Sequence, residues 1–592
     1  AENSNGRTRF RLLETMRQYA AEKLGESGEA DATRSRHRDH YTALAALLEG
    51  PSDNGYGQRV EQIETEIDNM RAAFAWSREN GDAESALALT SSLTPLWQPR
   101  PAEGVSWFDA ILGDNAPVEI APAVRARALA DRVLLTAIIG WDADSSKQAK
   151  DALSIARELD NPPLLARALA ACALIAVDAE AARGYRAEAI QLARALGDRL
   201  RLSHILSIEA LVTVTTGDLI AARTVAEEGC ELAEAIGYRA SLVRCRWCLG
   251  LAELARGDSV GAIANFRAAS AVAEAGHYVN FQKLGLAGQG MALACHGDVG
   301  AARAAADEAL DGAHEIGSLF NGIAYTALGM AALASGDAAT ARDATDTACR
   351  HGMSAIPRLG AVARTFNAQA ALANGDLVAA RRTAQEAVTT AAGWYLMWAL
   401  TTRARVAMAQ GEPEQAECDA HDALACAVEA GAYLGISDNL ECIGALAGTA
   451  GSLREAARLF GAAEAIRQRM GEVRFKVWDN DYLSSVAALR NTLSDKDFND
   501  AWTEGAMLST EEAIAYAQRG RGERKRRTSG WASLTPTEHQ VVRLVSEGLA
   551  NNDIATRLFV SPRTVQSHLT HVYTKLGLTS RVQLVQEAAR HS

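Results

Sequence analysis

Along most of the chain apolar positions recur every three or four residues, as in ALACAVEAG and AEEGCELAEAIG, which is the spacing of amphipathic helices. These helical stretches are punctuated at regular intervals. A glycine followed by an acidic residue returns at Gly217-Asp218, Gly257-Asp258, Gly297-Asp298, Gly336-Asp337, Gly375-Asp376 and Gly411-Glu412, with spacings of 40, 40, 39, 39 and 36 residues. A second series lies between them at Gly197, Gly237, Gly276, Gly317, Gly352 and Gly431. Glycine ends a helix by taking the left-handed conformation, and a carboxylate just beyond it favours the start of the next. The repeating unit is therefore a helical hairpin. Each hairpin can bury its apolar face only against its neighbours, so the pattern predicts an α-solenoid over residues 51–480.

Composition supports an all-α architecture. The chain has 592 residues, too many for a single core, with 48% hydrophobic but only 6% aromatic residues. Alanine takes up much of the apolar share, which favours closely packed helices over sheets. A further helical segment is expected over 481–518, where Ser509 and Glu512 have capping-box spacing. Arg519 to Gly530 (RGRGERKRRTSG) reads as a basic linker, or equally as an arm that touches phosphates.

From 531 to 592 the punctuation changes to that of four short helices. Thr535-Pro536 with Glu538 makes a capping box and Gly548 closes the first helix. Asn551 or Asn552 caps the second, which carries Ile554, Ala555 and Leu558 inward. After a tight turn at Phe559-Val560, Ser561-Pro562 caps a third helix that runs to Lys575-Leu576 and stops at Gly577. Ser580 with Gln583 opens the fourth. A short helix, a turn and a longer capped helix is the geometry that lays the second helix of the pair in the major groove. Val565, Leu569, Val572 and Leu576 form the buried stripe of that helix. Arg563, Gln566, Ser567, Thr570 and Lys575 are left outward, with donors, acceptors and cations suited to bases and phosphates.

This segment resembles the LuxR/FixJ-type (GerE-like) helix-turn-helix domain along its whole length. The matching positions are Leu534-Thr535, Glu538, Gly548, Asn552, Ile554-Ala555, Leu558, Ser561, Thr564-Val565, His568-Leu569, Lys575-Leu576 and Arg581. The resemblance implies base reading by Gln566, Ser567 and Thr570. It implies phosphate contacts at Thr535, Asn552, Ser561, Arg563, Thr564 and Lys575, and dimerisation through Val582, Val585 and Gln586. The family often has lysine where this chain has Gln566. Glutamine gives up the charge but can bond an adenine edge in bidentate fashion.

Charge fits this division. Residues 519–592 hold twelve Arg and Lys against five Asp and Glu, a balance of +7, which leaves −20 on the rest of a chain whose total is −13. Phosphate responds to the local field, because charges beyond about 10 Å are screened.

The body resembles tetratricopeptide-like repeats of the longer kind found in large bacterial regulators. The stretch from Arg9 to Ala20, followed by His37, Tyr41, Glu66, Asp68-Asn69, Arg71 and Trp76, resembles the junction in STAND-type signalling ATPases where a winged-helix domain gives way to repeats. Residues 1–50 are accordingly expected to be the end of such a domain and a junction helix. That resemblance makes the chain the C-terminal part of a larger regulator, or a form that has lost its ATPase. No G-x-x-x-x-G-K-[ST] loop occurs, so ATP is expected only if a nucleotide-binding domain precedes the chain.

Other constellations point to structure rather than chemistry. Cys245 and Cys248 form a lone CxxC that reads as buried thiols, and the nine cysteines suggest a reducing, cytoplasmic setting. His568 and His571, like His37 and His40, have spacing that could hold a metal but lack further ligands. Asp495-Lys496-Asp497 lacks the glycine and glutamate of a calcium loop. No metal, catalytic or membrane-spanning pattern is found. The sequence therefore points to a non-enzymatic transcriptional regulator. Its expected partners are double-stranded DNA, a second copy of the chain, RNA polymerase, and an unknown small molecule or protein at the solenoid. The alternative is a protein-interaction scaffold with weak or vestigial DNA binding.

Overall fold

The computed structural model describes residues 2–4, 7–9, 14–50, 52–113, 120–139, 144–176, 179–311, 318–351, 357–520, 531, 534, 536–558 and 562–590. Two compact units result, Ala1–Met507 and Leu508–Ser592. Apart from a two-stranded antiparallel ribbon that pairs Glu2 with Arg9 and Ser4 with Arg7, the described regular structure is helical. Among the described residues no helix is long and apolar enough to cross a membrane.

The first unit is a run of antiparallel helical hairpins, and its turns follow the glycine–acidic rule. Gly217, Gly257, Gly297, Gly336 and Gly375 all have φ between 77° and 101°. The carboxylates of Asp218, Asp258, Asp298, Asp337 and Asp376 each accept the backbone N–H three residues on, at 2.8–3.1 Å. An N-cap of this kind is worth about 1 kcal/mol, so the five caps fix where each hairpin bends. Two turns depart from the rule. Glu412 makes no side-chain cap, and the helix after it begins instead with Pro413, whose missing N–H needs no partner. At Gly276 φ is −103°, and His277 takes the left-handed conformation in its place, at 56°. Gly317 and Gly352 lie outside the described residues.

Between the turns, alanine lets helices approach closely. Ala226, Ala233, Ala262, Ala269, Ala302 and Ala309 are all at most 1% exposed along the packed faces of successive hairpins. Cys245 and Cys248 are buried in the same interior.

The array curves far enough for distant repeats to touch. Trp394 Nε1 donates to Val214 O across 180 residues, and Arg239 pairs with Glu61 across 178. The N–H groups of Tyr433 and Leu434 reach Ala255 O, and that of Val473 reaches Cys295 O. A recurring offset near 180 residues is about four and a half hairpins, the interval at which one turn of a superhelix meets the next. At the meeting point Gly217 and Gly393 touch backbone to backbone; a Cβ on either would lie 2.5 Å from the other's Cα.

In the second unit, Ser509 and Glu512 cap the helix Thr510–Gly520 reciprocally, at 2.9 and 3.1 Å. Arg519 and Gly520 belong to that helix, and the remainder of the basic stretch, 521–530, lies outside the described residues. The four short helices follow: Pro536–Ser546, Asn551–Leu558, Pro562–Leu576 and Arg581–Arg590.

Candidate nucleic-acid interface

One small core holds the four C-terminal helices. Val541, Val542, Leu544 and Val545 of the first helix meet Ile554 and Ala555 of the second. Val565, Leu569 and Val572 of the third and Leu584 and Ala588 of the fourth complete it. Burying this stripe of the third helix turns its opposite face outward. Gln566 and Thr570, one turn apart, are exposed there.

The caps that set these helices are partly those the spacing predicts. Gly548 and Gly577 are left-handed, at 85° and 67°. Ser580 Oγ accepts the N–H of Gln583 at 3.2 Å, while the Gln583 side chain reaches back to the N–H of Thr579. The second helix starts one residue earlier than the asparagines suggest. Ala550 occupies the cap, and Asp553 accepts its N–H at 3.3 Å. This frees the side chain of Asn551 for another task.

That task is a bridge. Arg581, from the start of the fourth helix, donates to Asn551 Oδ1 at 2.9 Å and to the carbonyl of Leu549. Asn551 Nδ2 in turn donates to Gln566 Oε1 at 2.9 Å. A guanidinium can only donate, so it settles which end of the Asn551 amide faces it, and hence which end faces Gln566. The Gln566 amide nitrogen is thereby directed away from Asn551. With its second carbonyl lone pair it offers the donor and acceptor that an adenine edge requires. Thr570 Oγ1 bonds the carbonyl of Gln566 at 2.9 Å, which leaves its lone pairs available outward.

Lys575 is engaged within the fold. Its ammonium lies 2.6 Å from the carboxylate of Glu538, whose side chain is only 3% exposed. This ion pair ties the first helix to the end of the third, and it reduces the positive charge Lys575 can offer a phosphate. Asn552 is exposed on the second helix. Val582 and Val585, one turn apart on the fourth, are 67% and 36% exposed, and Gln586 is exposed beside them. Thr535, Ser561, Phe559 and Val560 lie outside the described residues, as do the side chains of Arg563, Thr564 and Ser567, whose backbone belongs to the third helix. Among the described residues no group of three or more His, Cys, Asp or Glu could hold a metal ion. Sequence reasoning missed the roles of Asn551 and Glu538. Their partners lie 15, 30 and 37 residues away, and no local spacing announces them.

Comparison with known proteins places this geometry. Residues 532–588 match the family described as bacterial regulatory proteins, luxR family. Over its whole length the chain is 52% identical to "Putative HTH-type transcriptional regulator Rv0890c" of Mycobacterium tuberculosis, of which it spans 68%. A shorter match, 34% identical over 83 residues, covers 14% of this chain and 38% of the oxygen regulatory protein NreC of Staphylococcus aureus. Among solved structures, Cut9 in its complex with Hcn1 aligns over 90% of this chain and 96% of its own, with a TM-score of 0.39 and 12% identity.

Proposed function

Because the chain belongs to the HTH-type transcriptional regulators, with a luxR-type DNA-binding domain on a body of tetratricopeptide-like hairpins, we propose that it binds operator DNA sequence-specifically as a homodimer. In this reading the helix Pro562–Leu576 enters the major groove and reads bases through Gln566, Ser567 and Thr570. Thr535, Asn552, Ser561, Arg563, Thr564 and Lys575 hold the phosphates on either side. The observation that carries the proposal is the bridge from Arg581 through Asn551 to Gln566, which holds a polar reading group in one orientation on an exposed helix face. Preorganised hydrogen-bonding groups of this kind lose little freedom on binding.

Val582, Val585 and Gln586 support pairing of two copies, since adjacent exposed valines on one helix face gain by being covered. The hairpin body receives the signal, a small molecule or a protein, and the protein acts in the cytoplasm, on chromosomal DNA and alongside RNA polymerase. The test is selection of bound duplexes from a random pool with the full chain. An enriched inverted repeat supports a dimeric, sequence-specific regulator. Recovery of no common sequence would favour the scaffold reading.

A further inference from the structure

The hairpin body contains a cavity of about 680 Å³, inside the range of roughly 300–1,000 Å³ typical of small-molecule sites. Its wall combines Leu48, Glu49, Gly50, Ser52 and Tyr56, residues between Ser91 and Gln98, one face of helix Pro122–Ile139 from Ala123 to Leu134, and the N-terminal turns of helices Pro162–Ile175 and Arg199–Thr216. Four buried polar atoms on this wall find no hydrogen-bond partner among the described residues: Tyr56 Oη, Ser91 Oγ, Gln98 Oε1 and Arg127 Nε. Tyr56, Ser91 and Gln98 are 0%, 3% and 4% exposed. A buried polar group left unpaired carries an uncompensated desolvation cost, and four around one cavity mark a place built for something else to complete.

The charges say what that something is. Arg127, Arg167 and Arg201 line the same cavity. Three carboxylates on the same wall face them: Glu49 at 2.7 Å from Arg127, Asp131 against Arg167 and 3.9 Å from Arg127, and Asp198 at 3.1 Å from Arg201. Asp198 is already committed, since it also caps its helix by accepting the Arg201 N–H at 3.0 Å. The starts of three helices add further partial positive charge. Charge on this wall is balanced, but the Arg167 and Arg201 guanidiniums each give a single hydrogen bond to a carboxylate, so N–H donors are left over for the oxygens of a ligand. Burial and Arg167 push the Arg201 guanidinium down to about 10. Burial, with Arg244, Arg201 and Arg167, pushes His204 at the same wall down to about 3.

We infer that this cavity binds a small hydroxylated polyanion carrying carboxylate or phosphate groups. Its charged oxygens meet the three guanidiniums and the hydroxyls of Tyr56 and Ser91, and Gln98 accepts from a ligand hydroxyl. The inference rests on the reading that the hairpin body receives the signal, and it gives that signal a place and a chemistry.

Calorimetric titration of the full chain with citrate, inorganic phosphate and the neutral polyol mannitol tests it. Binding of citrate or phosphate, and none of mannitol, is expected. Tyr56→Phe is expected to weaken the anion about tenfold, the equivalent of about 1.4 kcal/mol, while raising the thermal midpoint, because the hydroxyl loses no partner in the free protein. Arg201→Gln is expected to weaken it at least as much. Silence from both anions, preference for mannitol, or an unchanged anion affinity in a destabilised Tyr56→Phe would overturn the proposal. Operator titrations with and without citrate separate the two levels. Tyr56-dependent citrate binding that leaves DNA affinity unchanged keeps the site and removes its role as sensor. Absent anion binding removes the site and leaves sensing elsewhere on the body untouched.

Discussion

Asn551 is the position where the account of base reading is most exposed to test. Its side chain makes two hydrogen bonds, one to Gln566 and one, charge-assisted, from Arg581, both at 2.9 Å. Asn551→Ala removes both. In this partly exposed setting the loss of folding stability is about 1–2 kcal/mol, at the low end for one neutral and one charged bond. The effect on DNA has a different origin. An untethered Gln566 must be immobilised on binding, at about 0.5–1.5 kcal/mol, or roughly two- to tenfold in Kd. That cost exists only while Gln566 is present. Fluorescence anisotropy titrations of the full chain, at one fixed salt concentration, would compare Asn551→Ala in the wild-type and Gln566→Ala backgrounds. The bridge calls for a coupling of about 1 kcal/mol, above the roughly 0.3–0.5 kcal/mol scatter of independent sites. Equal losses in both backgrounds would refute it, because Asn551 would then act through folding or its own DNA contact.

Three further outcomes follow from other parts of the molecule. Gly393→Ala and Gly375→Ala both place a side chain at positive φ, but only the first collides with backbone, that of Thr216 and Gly217. Gly375→Ala is expected to cost about 1–2 kcal/mol, and Gly393→Ala about 1–3 kcal/mol more. The extra loss should bring faster hydrogen exchange at Val214 and Trp394, and equal denaturation midpoints would contradict contact between superhelical turns. Lys575→Met deprives the buried Glu538 carboxylate of its ammonium, for a loss of about 3 kcal/mol; Glu538→Gln with Lys575→Met should recover part of it in thermal melts. His204 is held neutral in the fold down to about pH 3 but protonates in the unfolded chain near pH 6.5. The unfolded state therefore binds more protons between those values, and stability falls as pH drops through that window. His204→Asn should flatten the denaturation profile there, and an unchanged slope would place His204 in a solvated setting.

Much of this molecule is legible in its sequence, and the reasons are local. A left-handed glycine and an N-capping aspartate declare themselves within two residues, so the bends at Gly217-Asp218 through Gly375-Asp376 could be read directly. The same signal at Gly81-Asp82, where Asp82 accepts the N–H of Ser85 at 3.0 Å, passed unread because it falls outside the regular spacing. In the C-terminal domain the buried stripe and most caps are likewise set by neighbours in the chain. What escapes such reading depends on how small rotations add up. Contact between Val214 and Trp394 follows from the accumulated twist of several hairpins, and no short window contains it. The same holds for Asn551. Its asparagine suits a cap, and only the placement of the third and fourth helices makes it a bridge instead.

The most direct measurement is discrimination between a selected operator and the same duplex with the adenine facing Gln566 replaced by guanine, made with the full chain and with Gln566→Ala. The expected result is a wild-type preference of roughly fivefold or more, in keeping with one bidentate contact worth about 1–3 kcal/mol. In Gln566→Ala that preference should collapse towards unity, with binding to unrelated DNA unchanged. If the variant discriminates as well as the wild type, the third helix does not read that base through Gln566, and the mechanism proposed for this domain is wrong.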